Sequence, residues 1–169
     1  YKFKTKPYGH QLDALNASWD KENFAYFMEM GTGKSKVLLD NAAVLYDKGL
    51  INGLLLIAPK GVYKNWYDSE IPTHLPDHIE KNIVRWKTSD KSKKQQLLLN
   101  TLFKSGTHLN ILIMNVESFS SGNGAEFAYK FLSAHPKSMV AIDESTTIKT
   151  PTSNRTKNIL KLSDHCKYR

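Results

Sequence analysis

The residues Met28 to Ser35, reading MEMGTGKS, set two glycines, a lysine and a serine in the order that a phosphate-cradling loop requires. Gly31 and Gly33 can take positive φ and bring backbone N–H groups against phosphate oxygens, an approach that a Cβ would obstruct. Lys34 adds a point charge, and Ser35 a hydroxyl for magnesium. Far along the chain, MVAIDE, Met139 to Glu144, is an apolar run that ends in two adjacent carboxylates. A magnesium ion bridging β- and γ-phosphates needs hard oxygen ligands, which Ser35 and Asp143 would supply. Glu144 is then available to orient or deprotonate an attacking water. Each signal alone has a plain alternative, a glycine-rich turn with a solvated lysine for the first and a helix N-cap or exposed turn for the second. The pattern GxxxxGK[ST] is also incomplete, because Met28 stands where its first glycine would be. Both signals in one chain turn the reading toward a nucleoside triphosphate site.

These residues need elements to hold them. Gly9 to Trp19 has Leu12, Leu15 and Trp19 at helical spacing, and the apolar run Phe24 to Met28 predicts a buried strand leading into the loop. After the loop, Leu38, Ala42 and Leu45 share a helix face, Gly49 is placed as its C-cap, and the N-terminal dipole favours the same anion. Strands are expected at Gly53 to Pro59, Ile83 to Trp86, Asn110 to Asn115 and Met139 to Asp143, with helices at Val62 to Ile71, Lys91 to Lys104, Ala125 to Leu132 and Asn154 to Leu162. Strands apolar on both faces that alternate with helices predict an α/β fold, a mainly parallel sheet covered by helices on both faces. Open sheets of that kind place ligands at the carboxyl ends of their strands, where Asp143 and Glu144 would stand.

A length of 169 residues gives room for one domain, and 40% hydrophobic with 24% charged content is that of an ordinary globular chain. No apolar run reaches membrane-spanning length, and YKFKTKPYGH lacks the apolar core of a signal peptide. The expected location is therefore the cytoplasm of a bacterial or phage-infected cell, or the nucleus of a eukaryote, without a membrane partner. Cys166 is the single cysteine and reads as packing. His74 and His78 have helical spacing, but Pro76 lies between them and no further ligands cluster nearby, which argues against zinc. The net charge of +8 points to a polyanionic partner. Its lysines and arginines cluster at Lys2 to Lys6, at Lys91 to Lys94 and from Lys149 to Arg169.

At this point a resemblance becomes specific. MEMGTGKS resembles motif I of superfamily 2 helicases, particularly the Snf2-like branch, and DESTTIKT, Asp143 to Thr150, resembles that branch's motif II, a DEAH-type box followed by Ile-Lys. LLLIAPKGVYKNW, Leu54 to Trp66, is similar to motif Ia, and KPYGHQLDALNAS, Lys6 to Ser18, to the upstream segment whose glutamine recognises adenine. Asn115, Val116 and Glu117 fall where the family has a short nucleic-acid-contacting turn. The resemblance implies a RecA-like P-loop ATPase domain that uses ATP and Mg2+ and acts on duplex DNA in preference to RNA.

Residue by residue, it implies that Gln11 bonds the adenine edge with Tyr8 beside the base. Met30, Gly31, Thr32, Gly33, Lys34 and Ser35 would hold the nucleotide, Ser35 and Asp143 the magnesium, and Glu144 the hydrolytic water. Lys60 would touch a nucleic-acid phosphate. Trp66 shares a helix face with Val62 and reads as core, not as a stacking platform. Ser145 and Thr146 depart from the family's Ala-His or Ala-Asp, which bears on how hydrolysis is coupled to movement. The resemblance would begin a motif III strand at Lys167, Tyr168 and Arg169, lying between the strand into the phosphate loop and the strand ending in Asp-Glu, and implies a second RecA-like domain after it. The isolated segment is accordingly expected to bind ATP poorly and turn it over negligibly. An RNA helicase of the same superfamily, a P-loop kinase of another class and a non-catalytic nucleotide-binding module remain as alternatives.

Overall fold

In the computed structural model, which describes residues 1–144 and 150–169, four parallel strands form one sheet with helices on both sides. The strands are β1 (Gly53–Ala58), β2 (Lys81–Arg85), β3 (Leu109–Asn115) and β4 (Ser138–Ile142), in the order β2-β3-β1-β4. The helices are α1 (Gly9–Ser18), α2 (Lys34–Asp47), α3 (Tyr63–Asn65), α4 (Ile71–His74), α5 (Lys93–Thr101), α6 (Gly122–Ala134) and α7 (Asn154–Ser163). This is the expected α/β class with a parallel sheet.

Alternation along the strands explains their continuous apolarity. In β1, Leu54, Leu56 and Ala58 join one core with Leu39, Ala42 and Leu45 of α2, while Leu55 and Ile57 join a second with Phe131 and Leu132 of α6 and Ile159 and Leu162 of α7. Successive side chains point to opposite faces, so a central strand covered on both sides must be apolar throughout. All six residues of β1 are buried. Each fully buried Leu or Ile contributes roughly 1.5–3 kcal/mol relative to an exposed one.

Helix α2 ends as its glycine dictates. Gly49 has φ +68, its N–H donates to the Tyr46 carbonyl, and the Leu50 N–H donates to the Leu45 carbonyl at 2.9 Å. That pair of bonds is a Schellman motif, which needs a residue in the left-handed region. The chain then enters β1 directly, so α2 runs antiparallel to the strands and its N-terminus lies at their carboxyl end.

Two expectations differ from the structure. Phe24 to Met28 does not form a strand. The Arg169 N–H donates to the Glu22 carbonyl and the Phe24 N–H to the Arg169 carbonyl, but among the described residues no ladder continues past Phe24, and Phe27 is 98% exposed. An apolar run becomes a strand only where a neighbour takes up its backbone groups. On its other side the 167–169 segment meets β4, since Lys167 and Tyr168 donate to the Ser138 carbonyl and Val140 donates to that of Tyr168. The helix expected over Val62 to Ile71 is instead three joined pieces, α3, a π-helical turn at Trp66–Glu70 and α4. Pro72, in the first turn of α4, has no N–H to give the Asp68 carbonyl and its ring crowds that carbonyl. The wider turn, with the Ile71 N–H on the Trp66 carbonyl, accommodates it.

One buried histidine is expected to make the fold acid-sensitive. His135 is 6% exposed, and its Nε2 bonds the Leu102 carbonyl at 2.7 Å, which fixes Nε2–H as the donor of a neutral ring. Its Nδ1 is buried without a hydrogen-bond partner. Burial lowers the imidazole's affinity for a proton, partly opposed by the Leu102 bond. The unfolded chain therefore binds the proton more readily, and stability is lost as pH falls below the ordinary histidine value of about 6.5. His74, also lowered by burial, acts in the same sense. Urea unfolding across this range is expected to show a smaller acid loss for His135→Gln than for the natural chain.

Candidate functional site

The glycine loop adopts the backbone that its residues permit. Gly31 has φ +77 and Gly33 φ +80, and Gly33 is the N-cap of α2. A Cβ at Gly33 would meet the terminal amide nitrogen of Gln11, the movable end of a side chain, so it is the left-handed φ that calls for glycine here. Lys34 and Ser35 form the first turn of α2, at the positive end of the helix dipole. The Lys34 ammonium folds back over the loop and donates to the Met28 carbonyl at 2.9 Å and the Glu29 carbonyl at 3.4 Å. Thr32 Oγ1 also donates to the Glu29 carbonyl, at 2.6 Å. Met30 is almost fully exposed beside the loop.

Helix α1 is tied to this loop by the residue singled out for adenine. Gln11 is buried, its Oε1 accepts from the Tyr8 N–H at 3.0 Å, and its Nε2 donates to the Thr32 carbonyl at 3.0 Å. A primary amide has two N–H groups and two lone pairs. One of each is used internally, and one of each remains to match the N7 acceptor and N6 donor of an adenine. His10, which the sequence did not single out, bonds the same Thr32 carbonyl at 3.0 Å and stacks on Tyr8 with ring centroids 5.9 Å apart. Its position beside Gln11 on the first turn of α1 was the available signal. Tyr8 presents an exposed ring at the N-cap of that helix.

The acid pair lies at the same edge of the sheet. Asp143 is the first residue beyond β4, and its N–H extends the ladder by donating to the Ile57 carbonyl of β1 at 2.8 Å. Its Oδ2 accepts from the Trp66 indole N–H at 3.0 Å. Trp66 is the core residue the sequence suggested, 3% exposed and packed with α2 residues, but its polar atom reaches the acid. Glu144 is exposed and has φ +51, and it is the non-glycine residue with positive φ among those described. A side chain in that region costs about 1–2 kcal/mol, a strain found most often at functional sites. Ser145, Thr146 and Lys149, on which the departures from motif II and its Ile-Lys tail turn, lie outside the described residues.

Lys60 follows β1 at this edge and is exposed, with its N–H 3.5 Å from Glu117 Oε1. Of the three residues expected in the nucleic-acid turn, Asn115 and Val116 are buried. Asn115 is committed to its own turn, donating to Glu117 Oε2 at 3.3 Å and accepting from the Ser118 hydroxyl. Only Glu117 of that trio reaches toward solvent. Lys4, in the N-terminal basic cluster, is engaged by Asp77 and the Pro72 carbonyl. His78 bonds Asp47 at 2.9 Å, and His74 meets Thr5 at 3.1 Å.

A glycine loop on a helix N-terminus and a carboxylate at the end of a parallel strand define a RecA-like nucleotide-binding domain. The SNF2-related domain matches residues 14–168, and the chain belongs to that family. It is a Snf2-like ATPase domain. Among solved structures it is similar to a Sulfolobus solfataricus SWI2/SNF2 ATPase core in complex with dsDNA, with a TM-score of 0.69 and 18% identity. The likeness covers 100% of this chain and 32% of that one, so the chain spans about a third of its neighbour's length. At that identity the likeness concerns the fold alone. No curated protein matches the chain.

Proposed function

We propose that the chain is the ATP-binding part of a DNA-dependent ATPase that couples hydrolysis to movement on duplex DNA. The observation that carries this reading is the shared edge of the sheet. There the strained Glu144, the Asp143 carboxylate and the glycine loop on the α2 N-terminus stand on elements packed into one core. In this reading Met30 to Ser35 cradle the phosphates, with Lys34 leaving its two carbonyls for the γ-phosphate. Gln11 and Tyr8 take the base. The donor set suits Mg2+, because a hydroxyl and a carboxylate are hard oxygens and magnesium in such sites takes few protein ligands besides phosphate. Ser35 and Asp143 would hold it, and the ion would offset phosphate charge as the bond to the leaving oxygen breaks. Glu144 orients the attacking water and accepts its proton.

Duplex DNA as partner is supported by the net charge of +8, by the exposed Lys60 at the same edge and by the duplex in the neighbouring Snf2 structure. A second RecA-like domain of the same protein is supported by the greater length of that neighbour and by the 167–169 segment lying between β4 and residues 22–24, the course expected for a motif III strand. Such a domain supplies the arginine finger that is worth about three to five powers of ten in rate.

ATP turnover by the full-length protein, measured with duplex DNA, single-stranded DNA and RNA in parallel, is expected to rise most with duplex. A response to RNA alone would favour an RNA helicase. Transfer of phosphate to a metabolite with no response to nucleic acid would replace the motor with a kinase.

A further inference from the structure

We infer that Trp66 is a positioning residue for the metal site, its indole N–H holding the Asp143 carboxylate in the rotamer that faces a nucleotide-bound magnesium. The inference rests on the reading of Asp143 as a magnesium ligand and adds the residue that orients it. Trp66 Nε1 donates to Asp143 Oδ2 at 3.0 Å across 77 residues of sequence. The ring around that nitrogen is 3% exposed and packs in the core that α2, β1 and β4 share. A buried indole N–H needs an acceptor, and here the acceptor is the acid at the strand end.

Three features make the bond suited to orientation. The donor is uncharged, so it fixes the carboxylate without neutralising the charge that a metal requires, which an Arg or Lys partner would do. It uses one of about four lone-pair sites on the carboxylate, leaving Oδ1 and the remainder of Oδ2 for the metal or its water. The Asp143 main chain is already fixed by its bond to Ile57, so the indole removes the remaining side-chain freedom. Trp66 opens the π-helical turn Trp66–Glu70 and its ring belongs to the buried core that includes Leu39, Ala42 and Ala43 of α2, so the donor cannot easily follow a moving carboxylate. Hydrogen bonds of this kind to metal ligands are commonly worth 10–100-fold in metal affinity.

Trp66→Phe keeps a ring in the core and deletes the donor. In the full-length protein, the Mg2+ concentration that supports half-maximal binding of a fluorescent ADP analogue is expected to rise about tenfold, with metal-free binding unchanged. Asp143→Ala should abolish the Mg2+ dependence altogether. In the natural sequence labelled with 15N-tryptophan, the Trp66 indole resonance should shift when Mg2+ and ADP are added together and not with ADP alone, a readout that needs no variant to fold. A lowered melting temperature with unchanged Mg2+ dependence in Trp66→Phe, or an indole resonance indifferent to Mg2+, would overturn the inference and leave Trp66 as packing. If Asp143→Ala also leaves Mg2+ dependence intact, the reading of the acid fails first and the inference falls with it.

Discussion

Replacing Glu144 by Gln in the full-length protein is expected to lower ATP turnover by about two to four powers of ten while nucleotide binding survives, the loss typical of removing a general base. The substitution isolates the chemistry because Gln has the same shape and the same cost in the left-handed region as Glu. The φ of +51 at this position is therefore retained, and with it the direction of the side chain. What disappears is the ability to take a proton from water. Asp143, next in the chain, keeps its bonds to Ile57 and Trp66, so the magnesium site should persist. The measurement is single-turnover hydrolysis beside equilibrium binding of a fluorescent nucleotide, with duplex DNA present. Equal turnover in both proteins would mean that the nucleotide serves structure alone, the alternative in which this domain is a non-catalytic binding module.

The sequence disclosed the parts of this site that are local and withheld those made by contact. The left-handed turns at Gly31 and Gly33 and the helix start at Lys34 were legible because a glycine loop is a property of eight consecutive residues, and Gly49 because helix termination is decided within one turn. Strands β1, β3 and β4 were legible from their apolar runs, since strands covered on both faces leave no polar alternation to misread, whereas the edge strand β2, KNIVR with one buried residue, showed only its Ile83–Val84 centre. The same rule misled at Phe24 to Met28, where composition matches a buried strand but the partner ladder stops at Phe24. Trp66 was read as core from its spacing with Val62. That is true of its ring, but its bond to Asp143 spans 77 residues and leaves no periodic trace. His10 escaped for a related reason, because its bond to the Thr32 carbonyl depends on how α1 meets the loop. Helix α2 was expected to bury a single apolar face, yet Lys36, Asp40 and Asn41 are buried too. Polar residues at helical spacing look like a solvated face until the neighbours that cover them are known.

Those covered polar residues give the second large effect, on stability. Asp40→Ala is expected to destabilise the protein by about 3–5 kcal/mol, the usual cost of stranding one partner of a buried ion pair. Lys36 Nζ and Asp40 Oδ2 are 2.7 Å apart one turn along α2, with side chains 4% and 2% exposed. The pair is roofed by the N-terminal segment, since the Tyr1 hydroxyl donates to Asp40 Oδ1 at 2.8 Å and the Phe3 ring lies 5.2 Å from the ammonium. Without the carboxylate, Lys36 must either lose its proton or pull the roof open to reach water. Since domains are stable by only about 5–15 kcal/mol, a loss of this size should appear as a large fall in melting temperature. Replacing both charges, Lys36→Met with Asp40→Leu, is expected to restore stability or exceed it, because two desolvated ions are exchanged for apolar volume. That recovery separates a stranded charge from a simple cavity. If the double replacement were as unstable as Asp40→Ala, the pair would owe its place to hydrogen bonding with Tyr1 and not to charge.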